Sequence, residues 1–434
     1  MPTTTRYRHR WAALAVLLTA EAMILLDATI VQVAGPVIHD GLPGPAADIP
    51  WFSAAYTLPF AAFLITGGRL GDIFGRARTF KIGVTAFVLA STACAAAPDA
   101  GLLIGARAVQ GAAAALIIPQ TIGLIRALFD GGELAKALGS IGPVMGLSAV
   151  TGPLLGGLLT QALSWRAVFL VNVPLGLAVL LAARFLREDK AATRPRLDLA
   201  GTALVVAGAG LLVYPLISPG GTSWPLLAAG AALLVAFGFQ QRRTAAPLVE
   251  PSLFAHRGFP AALAGSLLYF AVMTGLMLLV PMRLQLGDGA DVRTASLTLL
   301  PLSAGLAVSS WFAGSRLVPK FGARVMFAGL GLLLAGILGV AAGVPPALAV
   351  CGLGMGTFTV PFFTAALHRV RPHETGSAAG LLNAVQQLGG TLGVALLGGL
   401  YLSSGSATTA LGVAAGLTVA AAVAVVPLSS RRAR

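Results

Sequence analysis

The sequence predicts an all-α membrane protein with fourteen transmembrane helices. Three observations predict it. Of the 434 residues 57% are hydrophobic and only 10% charged. The apolar runs last about 20 residues, the length a helix needs to cross roughly 30 Å of hydrocarbon. The Lys and Arg residues fall almost entirely into alternate loops between those runs.

Soluble domains carry about 25% charged residues, so this chain lacks the polar surface to coat a water-soluble globule, and its mean hydropathy is +0.87. Spanning strands are excluded because the runs show no two-residue alternation. The 54 Gly and 26 Pro sit inside the apolar runs, where Gly lets helices approach closely and Pro bends them. Cys94 and Cys351 both fall in spans, so no disulfide is expected. The basic start, Met1 to Arg10, precedes a long run that contains acids and is read as a retained first helix rather than a leader.

Taken in order, helix 1 covers about 11–36, helix 2 about 51–68, helix 3 about 79–97, helix 4 about 101–126, helix 5 about 136–161 and helix 6 about 167–186. Helices 7 and 8 cover about 199–217 and 225–241. Helices 9 to 14 cover about 259–281, 294–313, 323–342, 345–367, 376–402 and 408–428. With the N-terminus cytoplasmic, 25 of the 29 Lys and Arg fall on the cytoplasmic side; Arg166, Arg283 and Arg293 fall opposite, and Arg107 lies within a span. One helix more or fewer would invert every later loop and destroy that asymmetry. The net charge of +14 is thus explained by topology and contact with anionic lipid, not by nucleic acid.

The chain also repeats itself. Gly67-Gly68-Arg69-Leu70-Gly71-Asp72-Ile73-Phe74-Gly75 and Gly314-Ser315-Arg316-Leu317-Val318-Pro319-Lys320-Phe321-Gly322 share Gly-x-Arg-Leu-x-x-x-Phe-Gly. Both stand on the cytoplasmic side, so the repeat is parallel. Helix 2 then matches helix 10, and the plan is 6+2+6: an N-terminal half over 1–197, a two-helix insertion over 198–250 and a C-terminal half over 251–434.

With these motifs the chain resembles the major facilitator superfamily, and within it the fourteen-helix drug:proton antiporters. The helix 2–3 segment looks like the superfamily's most diagnostic motif. Leu26-Asp27-Ala28-Thr29-Ile30-Val31-Gln32-Val33-Ala34-Gly35-Pro36 is similar to the subgroup's helix 1 pattern, with Gln32 where Asn is usual. Arg107-Ala108-Val109-Gln110-Gly111 is like the proton-transfer motif, and Gly152-Pro153-Leu154-Leu155-Gly156-Gly157 like the antiporter motif. Trp165 to Pro174 is again typical of the subgroup. The second-half loop departs from the pattern, with Pro319 where the first has Asp72. The resemblance implies a major facilitator fold in a cell inner membrane, with both termini cytoplasmic.

Of the 15 acidic residues, Asp27 and Glu21 alone lie deep in a predicted span. A charge at a helix centre costs about 2.5–3.5 kcal/mol on insertion scales, and a proton-coupled exporter needs a carboxyl that loads and unloads a proton there. A structural carboxylate, neutral or locked to a partner, is the other reading. The two are six residues apart, about 120° around a helix, and need not share a pocket. Arg107 requires a carboxylate, carbonyl or water partner in a span; the resemblance links it to proton transfer, with Gln110 on the same face. Gly152, Pro153, Gly156 and Gly157 give a bend and a flat face for close packing, which in antiporters is thought to seal the cavity. Gly68, Arg69, Asp72, Gly75, Arg76 and Arg78 form a charged corner, expected to latch the halves in the outward-facing state, with Asp72 free to cap a nearby helix. Tyr56, Tyr269, Phe270, Phe362, Asn383, Gln386 and Gln387 are the candidates to line a cavity for amphipathic organic molecules.

No Walker loop, hydrolase elbow or Cys/His cluster is present in the sequence, and His9, His39, His256, His368 and His373 fall in tails or loops. The chain is therefore expected not to be an enzyme and to use no cofactor, drawing on the proton gradient instead. Its expected partners are a small organic substrate, protons and membrane lipids, and it is expected to act as a monomer. The function implied is export of drugs, antibiotics or lipophilic cations against protons. A dedicated metabolite or lipid carrier of the same fold and a non-transporting scaffold are the alternatives. The Ala-, Gly- and Arg-rich composition suggests a bacterium with GC-rich DNA.

Overall fold

Arg10–Asp40, the first long helix (α1), carries Pro36 inside it, four residues before its end. A proline in the last turns of a helix facing other helices bends it without stopping it. The computed structural model describes residues 7–190, 197–218, 223–244, 247–255, 258–368, 370–371 and 374–429. The other long helices are α2 (Asp48–Phe74), α3 (Arg76–Ala95), α4 (Ala100–Leu128), α5 (Ile141–Ala162), α6 (Asn172–Ala182), α7 (Leu199–Ile217), α8 (Trp224–Arg243), α9 (Gly258–Met282), α10 (Leu300–Phe312), α11 (Val325–Ala341), α12 (Ala347–His368), α13 (Thr375–Ser404) and α14 (Ala407–Ala424). No strand occurs among the described residues.

Among those residues twelve stretches are long and apolar enough to cross a membrane. One of them, Val292–Ala341, holds both α10 and α11, and α3 is not among the twelve. Its first turns carry Arg76, Arg78 and Lys81, which lower its apolarity. The expected count of fourteen thus does not emerge from length and apolarity alone. The chain is a multi-pass membrane protein. Arg6, Arg194, Arg196, Arg257, Arg369, Arg431, Arg432 and Arg434, counted in the charge asymmetry, lie outside the described residues, as do His256 and His373.

The packing repeats with the sequence. In the first half α1 lies on α5 and α6, α2 on α4, and α3 on α4 and α6. In the second, α9 lies on α13 and α14, α10 on α12, and α11 on α12 and α14. Glycines permit the closest of these approaches: a Cβ at Gly111 would overlap the Tyr56 backbone in α2, and one at Gly352 would overlap the Leu302 backbone in α10. Two main seams join the halves, α2 against α13 and α5 against α10 with the short helix before it, Val292–Thr298, and α1 also touches α9. α7 lies across the first seam, touching both α2 and α13. α8 rests on α7, where Gly230 faces Gly208 O.

The repeated motif is not a loop. The sequence places a cytoplasmic loop after about residue 68, but α2 runs on to Phe74 and α3 starts at Arg76. The reversal is made by Gly75 alone, at φ 105, a conformation that glycine adopts without steric cost. Its counterpart Gly322 also turns at positive φ, 59. There the helix is broken, passing through a π-turn over Ala313–Leu317 and a short Val318–Phe321 helix, with Pro319 at its start.

Candidate functional site

Asp27 and Arg107 are both fully buried and form an ion pair between α1 and α4. Arg107 Nη1 donates to Asp27 Oδ2 and, at 2.7 Å, to Gln110 Oε1 one turn along α4. The other carboxylate oxygen, Asp27 Oδ1, accepts from Gln110 Nε2 at 2.9 Å and from Asn172 Nδ2 at 2.7 Å. Arg107 Nε donates to Phe52 O at 2.9 Å, and its guanidinium lies 4.3 Å above the Tyr56 ring. Ser91 on α3 closes the set: it accepts from Gln110 Nε2 at 3.3 Å and Asn172 Nδ2 at 3.0 Å, and donates to Phe169 O at 2.9 Å. Cys94 Sγ reaches Gln110 Oε1 at 3.7 Å. Five helices, α1, α2, α3, α4 and α6, thus contribute to one polar knot in an apolar interior. The bonds to Gln110, Asn172 and the Phe52 carbonyl offset the cost of holding this pair out of water, while Arg107 Nη2, Tyr56 Oη and Asn172 Oδ1 are buried without a partner among the described residues.

The sequence pointed to Asp27, Arg107 and Gln110, and these three are brought together. Asn172 and Ser91 were missed. Asn172 stands in the Trp165–Pro174 segment, so the signal was present, but a neutral amide does not stand out as a buried charge does. Tyr56, expected on the cavity wall, lies under Arg107 instead. Glu21 is separate from the knot; it is buried, and its Oε2 has no hydrogen-bond partner among the described residues.

The antiporter-like glycines lie beside this site. A Cβ at Gly152 would overlap the Thr29 side chain, and one at Gly156 would come within 3.2 Å of Ile30 O, both on the turn after Asp27. Gly157 faces the Ser296 side chain across the α5 seam. Pro153 is buried as well. One face of α5 therefore touches the charged helix of the first half and the wall of the second.

At the motif corner Asp72 accepts from Arg76 Nη2 at 2.8 Å and Nε at 3.1 Å, while Arg76 Nη1 pairs with Asp189 at 2.7 Å. Asp72 does not cap a helix. The start of α3 is capped by Glu188, whose carboxylate accepts from Ala77 N at 3.0 Å and Arg78 N at 3.1 Å. The Arg78 side chain is exposed, and Gly68 packs on Pro119. Arg69 Nη2 donates to Pro247 O in the segment leading to α9. That segment is held in turn by the inserted helices: Gln241 accepts from Val249 N at 3.0 Å, and Gln240 and Gln241 donate to buried Asp198 at 2.9 and 2.6 Å.

Between the halves at this arginine-rich end lies a cavity of about 380 Å³, whose lining includes Ile65, Arg69, Ile118, Leu248 and Asn383. Of the predicted lining residues only Asn383 reaches it. Gln386 and Gln387 are half-buried further along α13. Tyr269, Phe270 and Phe362 join Phe358 and Phe363 in a packed ring cluster between α9 and α12, with Tyr269 Oη 2.9 Å from Met355 O. At the opposite end the halves are sealed by Val33, Val280, Val292 and Leu299, and Gln285 donates to Val33 O at 3.0 Å.

Two parallel helical repeats, a cavity between them open at one end, and a buried ion pair at mid-depth define a membrane transporter of the two-half kind. The chain belongs to the Major Facilitator Superfamily, which it matches over residues 17–394. It is 43% identical to the probable actinorhodin transporter of Streptomyces coelicolor, over 93% of this chain and 75% of that protein. It is 39% identical to the puromycin resistance protein pur8 of Streptomyces alboniger, over 96% and 89% respectively. The human organic anion transporter MFSD10 has the same fold, with a TM-score of 0.67 at 14% identity, covering 96% of this chain and 99% of that one.

Proposed function

We propose that the protein is a proton-coupled exporter of amphipathic antibiotic-like molecules, with Asp27 as its proton site. The observation that carries this reading is the Asp27–Arg107 pair, which has a prepared alternative. When a proton neutralises Asp27, Arg107 keeps the Phe52 carbonyl, Gln110 Oε1 and the Tyr56 ring. The pair can therefore open without stranding the guanidinium in hydrocarbon, which a purely structural ion pair would not need. The direction of transport rests on the relatives, one of which is named for puromycin resistance.

In this reading the chain crosses the membrane fourteen times, with α3, α10 and α11 each a crossing. The two halves are 1–197 and 251–434, joined by the 198–250 insertion, and the arginine-rich end faces the cytoplasm with both termini. The cavity then opens inward, and the corner at Gly68, Arg69, Asp72, Gly75, Arg76 and Arg78 is a latch that reaches the insertion through Arg69, which donates to Pro247 O. Gly152, Pro153, Gly156 and Gly157 keep protons from leaking past α5. The chain acts as a monomer, and its energy comes from the proton gradient rather than a cofactor. A dedicated carrier of one endogenous antibiotic is the second reading, favoured by relatives named for single compounds.

The test uses liposomes loaded with a cationic dye under an imposed pH gradient, following dye and internal pH together. Uphill dye movement with counter-moving protons, abolished in Asp27→Asn, is the expected result. A panel of amphipathic dyes that never responds to the gradient would overturn multidrug export.

A further inference from the structure

Asp27 receives only donors: Arg107, Gln110 and Asn172. That set suits an ionised carboxylate and gives a protonated one nowhere to place its O–H. A buried hydroxyl without an acceptor bears its full desolvation penalty. Gln110 cannot supply the acceptor, because its Oε1 is already taken by Arg107 Nη1 and Cys94. Asn172 differs. Its Oδ1 is buried and has no partner among the described residues, while its Nδ2 serves both Asp27 and Ser91.

We infer that Asn172 is a two-faced positioning residue for proton coupling, presenting its amide N–H to ionised Asp27 and, after a half-turn of the side-chain amide, its carbonyl oxygen to protonated Asp27. The proton comes from water and bonds to a carboxylate oxygen; its O–H then donates to Asn172 Oδ1, and no other bond changes. Ser91 allows the half-turn, since its hydroxyl accepts from the amide N–H in one state and can rotate off Phe169 O to donate to the amide oxygen in the other. The groups that bear charge or titrate around Asp27 are few. Arg107 comes from α4, Tyr56 from α2 and Cys94 from α3. α5 and α6 contain no titratable residue, and α9 only Tyr269, which is bonded to Met355 O. Tyr56 Oη is the rival acceptor, also buried and without a partner among the described residues.

This inference rests on Asp27 being the proton site, and the experiment separates the two. Infrared difference spectra of the protein in liposomes, taken across a pH titration, should show a protonated-carboxyl C=O band that Asp27→Asn removes. In Asn172→Leu that band should move to higher frequency, as for a carboxyl whose O–H lacks an acceptor, and gradient-driven transport should fall at least tenfold. Substrate binding should stay within threefold, and Asn172→Gln should restore much of the coupling. Ser91→Ala, which spares the amide, should give a smaller change in the same direction and serves if Asn172→Leu does not fold. No Asp27-dependent band in the wild type would overturn the proton site itself. A band present but unmoved by both Asn172→Leu and Ser91→Ala, or moved instead by Tyr56→Phe, would overturn only the role of Asn172. Equal losses of binding and coupling would reduce Asn172 to a structural residue and overturn it as well.

Discussion

Gly111 on α4 faces the backbone of Tyr56 on α2 with no room for a Cβ, and one turn earlier on the same helix Arg107 spreads over the Tyr56 ring. The close approach of the two helices is what sets the guanidinium on the ring. Gly111→Ala should force α2 and α4 apart, with an overpacking cost of about 1–3 kcal/mol. A lowered melting temperature in detergent, together with loss of gradient-driven transport, is the expected outcome. A variant of wild-type stability would mean that the helices separate freely.

Single removal of either member of the ion pair should be worse than removal of both. Asp27→Leu leaves the charged Arg107 only the Phe52 carbonyl, Gln110 Oε1 and the Tyr56 ring, and Arg107→Leu leaves Asp27 without a counter-charge; breaking a buried pair from one side costs about 3–5 kcal/mol. The double variant buries only apolar groups in their place. Its folded yield should recover towards wild type while transport stays absent. Size-exclusion profiles of the three variants test this, and a double variant as poorly folded as the singles would contradict it.

Much of this architecture was legible in the sequence and some was not, for identifiable reasons. Long apolar runs and one-sided arginines mark the helices, because the bilayer imposes both. Asp27 and Arg107 stand out because a charge in hydrocarbon requires a purpose. Asn172 and Ser91 carry no charge and sit about 80 residues apart in the chain, so nothing local links them to Asp27. The corner at Gly75 looked like a loop because its charges resemble one. Its cap, Glu188, comes from more than 100 residues away.

That cap gives a third prediction. Glu188→Ala should leave the first N–H groups of α3 without an acceptor, at a cost of about 1 kcal/mol. Gly75→Ala should cost about 1–2 kcal/mol through its positive φ, and more through collision with the Glu188 carboxylate. The double variant should therefore relieve part of the Gly75→Ala penalty, measurable as non-additive shifts in melting temperature. Strict additivity would show that the two residues act independently.

The inserted helices give a fourth. Asp198 holds Gln240 and Gln241, and Gln241 holds Val249 N. Asp198→Leu should free the segment around residues 247–250, raising hydrogen exchange at Val249 at least tenfold while exchange in α2 stays unchanged. Unaltered protection at Val249 would show that the segment is held by the second half alone.

The placement of α7 makes the two seams unequal. One carries a brace across α2 and α13, and among the described residues no long helix spans the other, between α5 and α10, in the same way. Under the proposed transport reading, the halves are expected to swing like a door on a hinge rather than part evenly like a clam. Spin labels on Leu147 and Trp311, exposed residues of α5 and α10, should therefore move further apart and back over a transport cycle than labels flanking the braced seam. The cavity shares this asymmetry: its lining comes mainly from α2, α4, α13 and the stretch holding Pro247, Leu248 and Glu250, so the insertion supplies part of the wall of the space between the halves.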